Sequence, residues 1–283
     1  ASADSDNPTA SDYPRYMAPD LENFRGVQAR DELGSRMAFT LDSLILVANS
    51  AHLAAFDALI PDLVAAYEEV GSPKDRNLSP AITLLNGWDC NIDVSSIAAT
   101  VAISWAEKAL NMAYRQAPLE VRRKDMFDLW IKEYISAEDK IRLLQESLAE
   151  LEENFGSWQT PWGLINRYQR LDGEIAPHFD DARPSMPVGF ASARWGSIPA
   201  FAGGTYGDSK KRYGRHGNSF VAAVSFGKRL RAKAIVTGGQ SGNPRSPHFN
   251  DQAKAFCQKE FRDVYFYPED VTQHSERRYH PGQ

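Results

Sequence analysis

Ser241, His248 and Asp251 fall within eleven residues of the stretch IVTGGQSGNPRSPHFNDQAKAF, which runs from position 235 to 256. A serine, a histidine and an aspartate are the parts of a nucleophilic hydrolase, so this spacing is the first to test. Catalysis needs the hydroxyl, the imidazole and the carboxylate within hydrogen-bond reach of one another. Here Pro244 and Pro247 lie between Ser241 and His248 and hold the chain extended, away from the serine. The order Gly239-Gln240-Ser241-Gly242 is also one residue short of the GxSxG elbow. No lysine follows the glycines, so the stretch is not a phosphate-cradling P-loop. The residues suit a buried, hydrogen-bonded corner instead. Gly238 and Gly239 allow a tight turn after a strand, Gln240, Ser241 and Asn243 can bond backbone groups, and Asp251 can cap the next helix.

Metal chemistry finds little support. The six histidines, His52, His178, His216, His248, His274 and His280, show neither HExxH nor another zinc spacing. Cys90 and Cys257 form no CxxC pair, and sequence alone does not say whether they join as a disulfide. PHFDDARP brings a histidine and two acids together and reads as a surface loop. No cofactor is expected. A structural calcium, bound through Asp and backbone oxygens, stays open, although no EF-hand loop is present. DLWIKEYI and the Trp158/Trp162 pair read as core.

The elements that must position these groups fall into two halves. From 24 to 156 the pattern is helical. HLAAFDALIPDLVAAYEEV places Leu53, Phe56, Leu59, Leu63 and Tyr67 at helical spacing, with Pro61 expected to kink or split the helix. DVSSIAATVAISWAEKALNMA carries Ile97, Val101, Trp105 and Leu110 on one broad face. SAEDKIRLLQESLAELEENFG starts on a Ser136/Asp139 capping box and ends on Gly156, which is placed to be the C′ residue. From 157 to 283 long helical periodicity vanishes. GNSFVAAVSFGKRLRAKAIVTGG reads as a hairpin in which Phe220, Ala222 and Val224 share a face, and Arg229, Arg231 and Lys233 share another. SMPVGFASARW and GSIPAF are weaker strands, and short helices are expected around 249–260 and 268–277. The fold class is therefore α+β, a helical half followed by antiparallel strands. A polar extended segment, 1–23, precedes them.

Bulk composition narrows the function. The 283 residues are 42% hydrophobic and 24% charged, which is ordinary for a globular chain, and the net charge of −5 gives no general electrostatic case for nucleic acid or an anionic membrane. Nine Lys or Arg against one acid, Asp208, lie between Arg194 and Lys233; this reads as a solvated sheet face with a basic loop. No apolar run reaches the length of a membrane span.

Several stretches together resemble the C-terminal part of the penicillin acylase family, within the N-terminal-nucleophile hydrolases. They are DYPRYMAPDLENFRGVQARDEL, FTLDSLILVANS, LLNGWD, FGSWQTPWGLINRYQR, YGRHGNSFVAAVSF and GGQSGNPRSPHFNDQ. Their likeness is closest to the acyl-homoserine-lactone acylase branch. The resemblance implies part of an α-β-β-α sandwich, one continuous domain with sequence upstream. It also implies a periplasmic or secreted precursor that cuts itself into two chains. The new N-terminal serine attacks an amide carbonyl, its own α-amino group acts as the base, and water releases the acid from an acyl-enzyme. Such an amino group titrates at roughly 7.7–8.0, so no separate histidine is needed.

This sequence departs from that pattern. Ala1 stands first, and no Ser-Asn-Ser/Ala-Trp opening occurs. The family's oxyanion asparagine falls just before these stretches; Asn7 is a poor substitute for it. The one active-site neighbour the resemblance carries over is Arg25, expected near the nucleophile and the oxyanion; otherwise it is a surface arginine at a helix start. The expected partners are the remainder of the acylase (its small chain and the N-terminal part of its large chain) and a small acyl amide, with no nucleic acid and no membrane span. This chain alone is expected to be inactive. The alternative is a nucleophile-less remnant acting as a structural or binding module.

Overall fold

A computed structural model describes residues 14, 16, 22–71, 73, 75–123 and 126–280. Ala1, Asn7 and nearly all of the 1–23 segment lie outside the described residues. The helical half comprises α1 (Phe24–Gly34), α2 (Leu41–Ala48), α3 (Phe56–Glu69), α4 (Leu78–Asn86), α5 (Ile97–Gln116), α6 (Leu119–Arg122), α7 (Phe127–Tyr134) and α8 (Ala137–Phe155). A short α9 (Trp162–Ile165) leads into β1 (Asn166–Tyr168), β2 (Met186–Pro187), β3 (Phe201–Gly204), β4 (Arg212–Gly217), β5 (Phe220–Ser225) and β6 (Arg231–Val236). Then follow α10 (Ala253–Gln258), β7 (Arg262–Asp263) and α11 (Pro268–Gln273). The α+β expectation holds. The two closing helices are shorter than the sequence suggested.

Local rules account for the clearest helix. Ser136 accepts a hydrogen bond from the Asp139 N–H at 3.2 Å, and Gly156 ends α8 with φ +81°. The capping box is only half made, because the Asp139 carboxylate bonds Arg142 instead. Pro61 neither ends nor splits α3. Leu59, Ile60 and Leu63 flank it in the core, so burial outweighs the missing donor.

α5 is the centre of the helical layer, packed by α3, α4, α7 and α8. Trp105 is fully buried on it and donates from Nε1 to the Lys140 carbonyl at 3.1 Å. Lys140 itself is buried, and its Nζ lies 2.7 Å from Asp62 Oδ2, joining α8 to α3. A buried pair of this kind is costly to break from one side, since the remaining charge stays desolvated. A chain of aromatic contacts runs from Phe24 to Phe127 at 5.1 Å, on to Trp195 at 5.5 Å, and from there to Phe56 at 5.4 Å. It ties α1, α7 and α3 to the 3-10 turn at Ala193–Trp195.

The strands form two small sheets, ordered β2-β1-β4-β3 and β5-β6-β7. The expectation of antiparallel strands needs one correction: β1 and β4 are parallel, with Asn166 opposite Arg212. Their pairing partners are far apart in sequence, so no hairpin pattern announces it. The predicted hairpin is β5–β6, in the register Ala222 opposite Ala234. Ala234 and Ile235 point to opposite faces and are both buried, so this sheet is covered on both sides where α2 and α10 meet it. The second core gathers here: Tyr168, Val188, Phe190, Phe201, Ile235, Ala253 and Phe256. Cys90 and Cys257 carry separate thiols. No helix among the described residues is long and apolar enough to cross a membrane.

Candidate functional site

The Arg25 site begins with a helix cap. Asn23 Oδ1 accepts the Gly26 N–H at 3.0 Å and starts α1, which puts Arg25 in its first turn. From there the guanidinium turns inward. Nε and Nη2 donate to the Ile198 carbonyl at 3.1 and 2.9 Å, and Nη2 also reaches Asn218 Oδ1 at 3.3 Å. Both acceptors are neutral. No carboxylate among the described residues pairs with this arginine, so its charge is oriented without being cancelled.

Asn218 is the other half of the arrangement. It lies in the two-residue link from β4 to β5, where the chain passes from one sheet to the other. Its N–H donates to the Ala200 carbonyl at 2.9 Å, its Oδ1 also accepts from the Ala200 N–H at 3.3 Å, and its carbonyl accepts the Thr237 hydroxyl at 2.8 Å. Gly217 precedes it with φ +153°, and a Cβ there would lie 2.2 Å from the Ala200 carbonyl oxygen. Only glycine fits that approach. A cavity of about 130 Å³, lined by Tyr168, Phe201, His216, Thr237 and Phe256, opens on the same Gly217-Asn218 pair. Arg25 thus backs a polar joint with a small cleft beside it. Sequence reading singled out Arg25 through a family likeness; it gave no signal for Asn218 or Ile198.

Lys259 sits close by. It takes a left-handed φ of +60°, its Nζ donates to the Asn49 carbonyl at 3.2 Å, and it lies 5.5 Å from the Phe190 ring centre. Burial pushes its amine below the ordinary lysine value. The adjoining cavity, about 20 Å³, has room for little more than a water molecule.

Ser241, His248 and Asp251 do not form a triad. His248 Nδ1 and Asp251 Oδ2 are 2.9 Å apart, but Ser241 Oγ accepts the Asn243 N–H, and Ser241 meets His248 only through the backbone, N–H to carbonyl at 3.1 Å. Asp251 does not cap α10; Gln252 stands at that position with no side-chain cap bond. The corner expected here is tight but only partly buried. Gly238 has φ +84°, and Cβ atoms on Gly238 and Gly239 would meet the Tyr168 hydroxyl at 2.6 Å and the His248 carbonyl at 2.2 Å. Residues 242–245, in contrast, are exposed.

In the PHFDDARP loop, Asp181 accepts from the Lys210 N–H and the Tyr213 hydroxyl, each at 2.8 Å, so its oxygens are taken by protein donors. No group of three or more His, Cys, Asp or Glu side chains among the described residues can hold a metal. Burial pushes the Cys90 and Cys257 thiols up to about 12, which leaves them protonated and unreactive at neutral pH. Three of the nine basic residues in the stretch are answered from elsewhere: Arg212 pairs with Glu107, Arg229 with Glu269 and Asp270, and Lys233 with Asp42.

The chain is similar to known proteins along its length. Among solved structures it resembles a thermostable penicillin G acylase from Alcaligenes faecalis, at 16% identity and a TM-score of 0.46, over 90% of this chain and 52% of that one. The chain thus spans about half the length of that solved relative. The family model for penicillin amidase matches residues 1–273, which takes in Arg25, both sheets and α11 to its last residue. By that match the chain belongs to the penicillin amidase family.

Proposed function

We propose that this chain is a segment of an acylase that hydrolyses the amide bond of a small acyl amide, such as an acyl-homoserine lactone or a penicillin-type substrate. In this reading the nucleophile is an N-terminal serine supplied by polypeptide upstream of Ala1. Its hydroxyl oxygen attacks the amide carbonyl, and the α-amino group takes the hydroxyl proton and passes it to the leaving amine. Water then cleaves the acyl ester, releasing the acid and restoring the serine. Maturation is by self-cleavage, and the enzyme is periplasmic or secreted.

Arg25 supports the region where the nucleophile and the developing oxyanion lie. The observation that carries this role is its hydrogen bonding: the guanidinium is fixed by the neutral Ile198 carbonyl and Asn218 Oδ1, not quenched by a carboxylate. A fixed, uncancelled positive charge is what stabilises negative charge developing in a transition state.

The test has two arms. The 283-residue chain incubated with an acyl-homoserine lactone or a chromogenic acyl amide gives no turnover, and co-expression with the upstream polypeptide restores it. Turnover by the isolated chain refutes the placement of the nucleophile. Failure of the complete protein to hydrolyse any acyl amide refutes the reading as a whole.

A further inference from the structure

Among the described residues the two sheets have four edges, and three carry a device against a further strand. β2 is two residues long, and one of them is Pro187. β3 is broken by a bulge between Ala202 and Gly203. β7 is again two residues, Arg262 and Asp263, both charged. The fourth edge is β5. It runs for six residues, Phe220–Ser225, with no charge, no proline and no break in its register against β6. Folded proteins ordinarily blunt an edge by one of these means, because an open row of N–H and C=O groups recruits another strand.

The ladder fixes which groups stand open. Ser219 accepts from the Thr237 N–H at 3.0 Å, in the same register that sets Ala222 opposite Ala234. Backbone groups alternate in direction along a strand. Val221, Ala223 and Ser225 therefore turn their N–H and C=O groups toward β6, and Phe220, Ala222 and Val224 turn theirs outward. None of these outward groups has a hydrogen-bond partner among the described residues. The side chains agree with the backbone. Phe220 is 62% exposed, Ala222 is exposed, and Phe226, just past the strand, is exposed as well. On this face the cover reaches Ala234 of β6 and stops short of β5. α2 lies over the other face, where its Asp42 pairs with Lys233, the residue opposite Ala223.

This edge also begins at the Arg25 site. Phe220 is two residues beyond Asn218, whose Oδ1 accepts from the Arg25 guanidinium. At about 3.3 Å per residue the open ladder starts roughly 7 Å from that joint. We propose that the outer edge of β5 pairs with an extended strand of the polypeptide upstream of Ala1, which adds a fourth strand to the β5-β6-β7 sheet. The inference rests on the reading of this chain as one segment of an acylase. In that reading the upstream polypeptide has to reach Arg25 to bring the nucleophile, and the open edge runs from that point. Its backbone bonds the outward groups of Phe220, Ala222 and Val224, and its side chains cover Phe220 and Ala222.

Amide hydrogen exchange, resolved to single residues by mass spectrometry, tests this on the 283-residue chain alone and on the chain co-expressed with its upstream polypeptide. The Phe220, Ala222 and Val224 N–H groups are expected to exchange freely in the isolated chain and at least about 100-fold more slowly in the complex. Ala222→Pro removes the central outward N–H and leaves the bonds to β6 in place. It is expected to melt within about 3 °C of wild type and to bind the upstream polypeptide at least about tenfold more weakly. The exchange comparison needs no variant. An upstream polypeptide that binds without slowing those three amides overturns the proposal and leaves the acylase reading standing. Slowed amides in a complex that hydrolyses no acyl amide overturn the acylase reading and leave the edge assignment standing. No association at about 10 μM overturns the proposal, as does unchanged binding by a folded Ala222→Pro chain. Slow exchange of the three amides in the isolated chain also overturns it, the result expected if a second copy already occupies the edge.

Discussion

Replacing Arg25 with methionine keeps the unbranched stem of the side chain and removes its charge and its fork of donors. Two acceptors then lose their partner, the Ile198 carbonyl and Asn218 Oδ1, although Asn218 Oδ1 keeps the Ala200 N–H. Hydrogen bonds from a charged donor are each worth about 1.5–3 kcal/mol net, and the two contacts to Ile198 share one acceptor, so they count as one. Partial exposure of the site reduces both contributions, and we expect a loss of about 2–4 kcal/mol. For a chain of this size that corresponds to a melting temperature lower by about 4–8 °C. Urea unfolding followed by circular dichroism should show the midpoint move with an unchanged slope, as for a native-state contact. Arg25→Lys restores the charge but not the fork, so it recovers only part of the loss. In the complete, processed enzyme, Arg25→Met should lower kcat/KM by more than its unfolded fraction explains, and Arg25→Lys should lie between. A melting temperature within about 1 °C of wild type refutes the clamp. Full activity in a destabilised Arg25→Met enzyme refutes the electrostatic role and leaves only the clamp.

Gly217→Ala should cost about 2 kcal/mol or more, because its Cβ is driven against the Ala200 carbonyl; calorimetric melts measure it. Asp62→Asn strands the Lys140 charge in the core and should cost about 3–5 kcal/mol, read by urea unfolding. Ser241→Ala loses a single exposed turn contact to Asn243, about 0.5 kcal/mol, and leaves turnover of the complete enzyme intact. Lys259 binds its proton less tightly when folded than its ordinary 10.5, so the unfolded chain holds more protons between that lowered value and 10.5. Native stability therefore gains from this group as pH rises through that window; the gain should be absent in Lys259→Met, so the stability difference between wild type and variant in urea titrations should change across the window. Cys90 and Cys257 should resist alkylation at about pH 8 in the native chain and react fully in denaturant, as mass spectrometry can count.

What could be read in advance was local. Ser136 and Gly156 mark the ends of α8 because caps act within one turn. The β5–β6 hairpin was visible because its strands are neighbours in sequence. β1 was not: three residues, Asn166–Tyr168, carry no period, and only pairing with β2 and β4 makes them a strand. The acceptors that fix Arg25 stand 173 and 193 positions away, beyond the reach of any spacing rule. Nothing in the spacing of α8 marks Lys140 for burial; the approach of α3 makes it a buried ion. The triad failed for the converse reason, since nearness along the chain left Ser241 Oγ and the His248 ring on different partners.

The passage from Gly217 through Asn218 and Ser219 to Phe220 leaves no slack between the sheets. Ser219 accepts from the Thr237 N–H, so both residues of the link are already bonded to the end of β6. One added residue at this point would turn every side chain of β5 to its opposite face, exchanging buried Ala223 for exposed Ala222. Insertions and deletions should therefore disturb the fold less in the Gly207–Ser209 turn, where Gly207 has open space around it, than at this crossing. Engineers who graft or permute this chain should cut elsewhere.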